Sequence, residues 1–180
     1  MTEKPQALYE AEVKQADIDH HTPTAGAMTG HIVANLVVLE NKLLQAKWYV
    51  KGVQRITLAS LLSDLYDEAL TQKLTIGQAL VDEGLLVPTT TAEFEEYAML
   101  TEAGVNKYQS ADYLIDMFVH DYDTENLFIT RAIALSEKEQ RPVLALKLTF
   151  LLGQNNHRIA ELQALLGNSP RTGLDEEDED

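Results

Sequence analysis

Five carboxylates lie beside the apolar stripes of long helical segments, and their spacing is the pattern in this chain that could hold a metal ion. They are Glu40, Asp64, Glu68, Asp121 and Glu125. The second and third are four residues apart, as are the last two, so each pair shares a helix face. Carboxylate oxygens that converge from separate helices are typical iron ligands in helical bundles. The alternative is that each carboxylate pairs with a lysine or faces water.

Two other groups of metal-capable side chains have a simpler interpretation. The polar stretch 17–21, Asp-Ile-Asp-His-His, precedes Pro23, and we interpret it as a turn that separates an arm from the rest of the chain. A second group has spacings of four, four and three, which place its members on one side of a helix. It consists of Asp112, Asp116, His120 and Asp123. Such a run is more often a solvated face than a metal site.

The composition excludes several classes of function. The chain has no cysteine, which rules out disulfides, thiolate metal sites and a cysteine nucleophile. It has no glycine-rich phosphate-binding loop and no signature of a Ser/His/Asp triad. The net charge is -15, from 14 basic and 29 acidic residues, which favours attraction of cations and is a poor match for DNA. No signal peptide and no membrane-spanning stretch is visible, so we expect a cytoplasmic protein without a membrane partner.

Helical periodicity of apolar residues predicts an all-α fold with four long helices. We expect them at Ala25–Lys51, Thr57–Glu83, Gln109–Lys138 and Arg141–Leu166, with a short helix capped by Thr91 in the crossover between the second and third. A further amphipathic helix from Thr2 to Ile18 would form an N-terminal arm. The predicted organisation is an arm at 1–22, a four-helix bundle at 23–167 and a disordered acidic tail at 168–180.

The corner between the first two long helices carries the most specific signature. It reads Lys-Trp-Tyr-Val-Lys-Gly over residues 47–52, and Gly52 is placed where a helix ends. This corner resembles the His-Trp-x-Val-x-Gly motif of the Dps family, the ferritin-like DNA-binding proteins from starved cells. Trp48, Val50 and Gly52 match the motif. The short crossover helix, and the lack of a helix pattern after Gly167, also resemble that family.

The resemblance implies a family iron site at which this chain has no usual iron ligand. The family uses two histidines and three acids there, and gap-free transfer puts those positions at Lys47, Ala59, Ser63, Leu74 and Gln78. The standard ferroxidase site is therefore expected to be absent, which leaves enzymatic activity open. Any iron cofactor would lie elsewhere, and the five carboxylates above are the candidates.

The resemblance also implies an assembly and a role. We expect a hollow dodecamer that protects the cell under stress by binding DNA, sequestering iron, or both. DNA contact would run through Lys4 and Lys14 of the arm and would be weak and independent of sequence. The location would be cytoplasmic, on the nucleoid where DNA is bound. Two alternatives are an iron-storage ferroxidase with a displaced carboxylate site and a structural cage subunit without chemistry of its own.

Overall fold

Six α-helices account for most of the chain in the computed structural model, which describes residues 4–174. They are α1 Pro5–His21, α2 Ala25–Tyr49, α3 Arg55–Asp82, α4 Thr91–Tyr97, α5 Ala111–Lys138 and α6 Pro142–Leu165. A short 3-10 helix, Gly104–Tyr108, precedes α5 and is not predicted from the sequence. The four long helices α2, α3, α5 and α6 form the bundle, and this confirms the predicted all-α class and ferritin-like architecture.

The core of the bundle consists of the apolar stripes that the sequence indicates. α2 packs against α3 and α5 packs against α6, while α2 also contacts α5. Fully buried side chains come from all four helices; among the largest are Ile32, Leu36, Leu65, Phe118, Tyr122 and Leu148. Because burying such a side chain contributes roughly 1.5–3 kcal/mol, this continuous interior is the main source of stability.

The corner after α2 is confirmed, although α3 begins earlier than predicted. Gly52 has φ +104°, a conformation that L side chains rarely adopt, so the turn depends on glycine here. α3 starts at Arg55, with Gln54 as a cap residue whose side chain makes no capping hydrogen bond. The predicted cap, Thr57, therefore lies inside the helix. The turn hydrogen bond from Arg55 N to Gly52 O starts the helix without a side-chain cap.

The short crossover helix forms at the predicted place with a different cap. Thr90, not Thr91, accepts a hydrogen bond from Glu93 N, and the Glu93 carboxylate accepts from Thr90 N in return. This reciprocal capping box satisfies two backbone donors of the first turn. The selection among three consecutive threonines follows from Glu93, because the box needs an acid three residues after the cap.

Helix α1 and the turns after α6 lie near the two ends of the described residues. α1 continues to His21, so most of the predicted polar turn is helical. The predicted tail begins at residue 168; residues 170–174 form turns, and Gln163 Nε2 of α6 donates to Thr172 O at 2.8 Å. Residues 1–3 and the acidic run 175–180 lie outside the described residues. No helix within 4–174 is long and apolar enough to cross a membrane.

Candidate functional site

Two of the family ligand positions contact each other directly across α2 and α3. Lys47 Nζ donates a hydrogen bond of 2.9 Å to Ser63 Oγ, and both side chains are half-buried. Ala59, one helical turn before Ser63, contributes only a methyl group. An ammonium therefore occupies the place where the resemblance implies a cation bound by imidazole and carboxylate. A positive charge there opposes the binding of a metal cation.

The two remaining family ligand positions lie on an exposed face of α3. Leu74 is 63% exposed, and Gln78 donates to Asp82 at 2.7 Å on the same face. Large apolar side chains at the corner and along α3 are exposed as well. We call Trp48, Val53, Ile56, Leu74 and Val81 the apolar flank. An apolar surface of this kind typically marks a protein contact.

Four of the five predicted metal carboxylates are in fact partnered within the bundle. Lys42 and Asp121 form an ion pair with both carboxylate oxygens within 2.8 Å of Nζ, and both side chains are largely buried. Burial raises the pKa of the Asp121 carboxyl, and the Lys42 ammonium opposes that rise. Glu40, 7% exposed, pairs with Lys73 at 2.9 Å. These carboxylates carry structural ion pairs between helices.

The carboxylates predicted on α3 lie in different environments. Glu68 is half-buried and accepts from Arg158 Nε at 2.5 Å, and the same guanidinium contacts Glu161. Asp64, one turn earlier, is exposed to solvent. The pair shares a helix side as predicted, but the Arg158 guanidinium already neutralises Glu68.

Glu125 has the most perturbed environment of the five. It is 1% exposed, and Glu125 Oε2 accepts a hydrogen bond of 2.7 Å from Asn35 Nδ2. Burial raises the pKa of the Glu125 carboxyl to about 8, against the hydrogen bond from Asn35, which lowers it. Within the described chain, Glu125 Oε1 and both polar side-chain atoms of Asn155 are buried without a hydrogen-bond partner. Neutral pH therefore leaves this carboxyl largely protonated.

The five carboxylates do not converge on one site. Within residues 4–174, no group of three or more His, Asp or Glu side chains is arranged to hold a metal ion. Sequence reasoning missed the partners Lys42, Lys73 and Arg158, as well as Asn35. The sequence does indicate a partner for Lys42, because this residue lies on the apolar stripe of α2, where a buried cation needs a partner. In the second group of metal-capable side chains, Asp112, Asp116 and His120 are exposed, as expected for a solvated helix face.

The two lysines predicted to contact DNA are both exposed on the arm. Lys4 precedes the first turn of α1, and Lys14 lies on its solvent face, so about 15 Å along the axis separates them. The stretch 17–21, the other metal candidate, forms the end of α1, where His21 Nδ1 lies 2.8 Å from Asp17 O. The side chain of His20 falls outside the described part of the chain.

The bundle, its crossover helix and its core define a ferritin-like protein. Residues 28–172 match the family model described as Ferritin, a ferritin-like domain. The chain belongs to the Dps family within this class. It is 30% identical over 140 residues to the "DNA protection during starvation protein" of Listeria innocua, a match covering 78% of this chain and 90% of the relative.

Solved structures of the family extend the similarity to nearly the whole chain. The Lactococcus lactis MG1363 DpsB protein has a TM-score of 0.87 and 37% identity, with 91% of this chain and 95% of that chain covered. The DpsA protein of the same organism has a TM-score of 0.88 and 34% identity, with 93% and 98% covered. The resemblance inferred from the corner motif is thereby confirmed.

Proposed function

We propose that this chain is the subunit of a hollow cage, a dodecamer by analogy with its family, that protects DNA and contacts it through the N-terminal arm. The names of the curated relatives, which describe DNA protection during starvation, support this role. The observation that carries the proposal is the structural match over more than nine-tenths of the chain to two Dps proteins.

The arm carries two exposed lysines that are available for DNA contact. Lys4 and Lys14 are exposed, whereas Lys42 and Lys73 of the bundle are engaged in ion pairs. Two lysines per arm would bind DNA weakly. A cage displays many arms, however, and the overall affinity rises when several arms contact the same duplex. Because the contacts are to phosphates, binding should not depend on sequence and should fall with salt.

The test is a gel-shift assay of the intact cage with linear duplex DNA at low salt. We expect a shift that disappears at moderate salt and is abolished when residues 1–20 are deleted. Deleting residues 169–180 should strengthen binding, because it removes the acidic run 175–180. If the arm-deleted cage shifts DNA as well as the intact cage does, the arm is not the DNA-binding element.

Iron sequestration is the second candidate, and the excess of acidic residues supports it because a net charge of -15 attracts cations. The Lys47–Ser63 hydrogen bond argues against oxidation at the family position. A displaced ferroxidase site would require Glu40, Glu68 or Asp121 to leave its cationic partner. The rate at which absorbance rises after Fe(II) is added to the cage distinguishes iron oxidation from iron storage. A rate above that of iron alone would support a ferroxidase. An unchanged rate, with iron retained in the cage, would support storage.

A further inference from the structure

A groove of about 290 Å³ lies between the arm helix and the bundle. One wall is α1, and the other is formed by α4 and the loop that follows α3. The floor is the start of α2, where the small residues Gly26, Ala27 and Gly30 line the groove. Leu85 and Pro88 complete the floor from the loop. Nothing in the proposed DNA role uses this groove.

The glycines of the floor let the loop after α3 pack closely against α2. A Cβ atom at Gly26 would come 3.3 Å from Leu85, and one at Gly30 would come 3.7 Å from Pro88. Side chains larger than alanine at these positions would push Leu85 or Pro88 away from α2. The lining of the groove is mainly apolar, which suits a hydrocarbon segment better than a hydrated ion.

The rim of the groove is acidic. Glu12 and Asp19 approach from α1, and Glu93 approaches from α4. No Lys or Arg among residues 4–174 lines the groove. Burial acts to raise the pKa of Glu93, but hydrogen bonds from Thr89 and Thr90 outweigh it and lower the pKa overall, so this carboxylate stays ionised.

Carboxylates from both walls of the groove influence the same group, the Tyr97 hydroxyl. The pKa of the Tyr97 hydroxyl is raised first by burial and then by the negative charges of Glu96, Glu93 and Glu12. Since Glu12 belongs to α1 and Glu93 to α4, the two walls combine into one region of negative potential. A cationic group placed there would relieve repulsion between the arm and the bundle.

We propose that this groove binds a linear aliphatic polyamine. The methylene segments would lie on the Gly26, Ala27 and Gly30 floor, and the ammonium groups would contact Glu12 and Asp19 on one side and Glu93 on the other. A hydrated divalent cation would satisfy the carboxylates but would gain nothing from the apolar floor. Length, flexibility and positive charges at intervals are therefore the features that the groove selects.

The probe is spermidine, titrated calorimetrically into the intact cage at fixed ionic strength. We expect saturable binding at one site per subunit that equimolar Mg²⁺ does not displace. The variant Glu12→Gln/Asp19→Asn should weaken binding roughly tenfold, because it removes two ion contacts. Ala27→Leu, which fills the floor without changing charge, should abolish the site. Circular dichroism and light scattering establish that each variant is folded and assembled.

A matched variant separates this site from attraction by net charge alone. Glu10→Gln/Asp17→Asn changes the same charge on the same helix, but neither residue lines the groove and both are exposed. We expect it to bind spermidine as the unaltered chain does. Equal loss of binding in the two double variants would overturn the proposal, as would full binding by a correctly assembled Ala27→Leu cage. Both outcomes leave the DNA role untouched, because the gel-shift assay measures that role separately.

Discussion

Lys47 Nζ donates a 2.9 Å hydrogen bond to Ser63 Oγ, which joins two positions where the resemblance to the Dps family implies metal ligands. The hydrogen bond joins the last turn of α2 to the third turn of α3. A lysine whose aliphatic stem is half-buried can place its ammonium there without an acidic partner, since a hydroxyl accepts the hydrogen bond. A hydrogen bond between two helices therefore lies where the resemblance implies a cation site.

Restoring the family ligands should restore metal binding at that position. We expect the variant Lys47→His/Ala59→His/Ser63→Asp/Leu74→Asp/Gln78→Glu to bind Fe²⁺ or Zn²⁺, because it supplies two imidazoles and three carboxylates. The unaltered cage should show no anomalous-scattering peak between Lys47 and Ser63 after the same soak. A peak there in the unaltered protein would contradict our interpretation of this hydrogen bond.

The Lys42–Asp121 ion pair should stabilise the bundle only while both partners are present. Lys42→Met leaves a buried carboxylate beside apolar side chains, and we expect a loss of about 3–5 kcal/mol. Lys42→Met/Asp121→Leu should recover most of this loss, because it leaves no charge unpaired. Thermal unfolding at equal protein concentration measures both effects. A double variant no more stable than Lys42→Met would mean that the pair has no specific coupling.

Glu125 should make the stability of the cage fall as pH rises through neutrality. Its pKa is raised to about 8 in the folded chain, from an ordinary value of 4.5, so the folded state holds a proton that the unfolded state has released between these values. Stability therefore falls from about pH 4.5 to 8 and is constant above that range. Glu125→Gln keeps the acceptor for Asn35 and removes the ionisation.

The unaltered chain and the Glu125→Gln variant should unfold at similar temperatures near pH 5, and the variant should be the more stable of the two near pH 8. A difference on the order of 1–3 kcal/mol is expected at the higher pH, less than the full pKa shift would give because buried sites relax. The control is Glu95→Gln on the exposed side of α4, which should leave the pH profile unchanged. An unaltered pH dependence in Glu125→Gln would contradict a protonated Glu125.

The sequence predicted features that rest on local chemistry and missed those that rest on packing between helices. The corner followed from Trp48 and Gly52, and the crossover helix followed from threonines before acids, although only the structure selects Thr90 as the cap. The metal interpretation of Glu40 and Asp121 had no local contradiction. The structure pairs these carboxylates with Lys73 and Lys42, which are distant in sequence and reach them across the bundle. Helical periodicity places a carboxylate on one side of its helix, but it does not identify the side chain of a neighbouring helix that pairs with it.

The apolar flank should be buried when the chain assembles. We expect the protein to elute as a dodecamer, and Leu74→Asp should shift it toward smaller species, because assembly would bury an unpaired carboxylate. Leu74→Met is the matched control, since it keeps volume and polarity. Light scattering at micromolar concentration distinguishes the forms. A monomer for the unaltered chain would refute the proposed cage.

The arm lysines should control how strongly DNA binding depends on salt. Lys4→Gln/Lys14→Gln removes two cations per arm, and the slope of log affinity against log salt should decrease by about 0.9 for every phosphate that is no longer neutralised. Lys51→Gln/Lys138→Gln removes the same charge from exposed positions of the bundle and should change the slope less. Fluorescence anisotropy with labelled duplex at several salt concentrations gives both slopes. If the slope changes as much in the bundle variant as in the arm variant, DNA responds to the charge of the whole cage, and the arm has no special role.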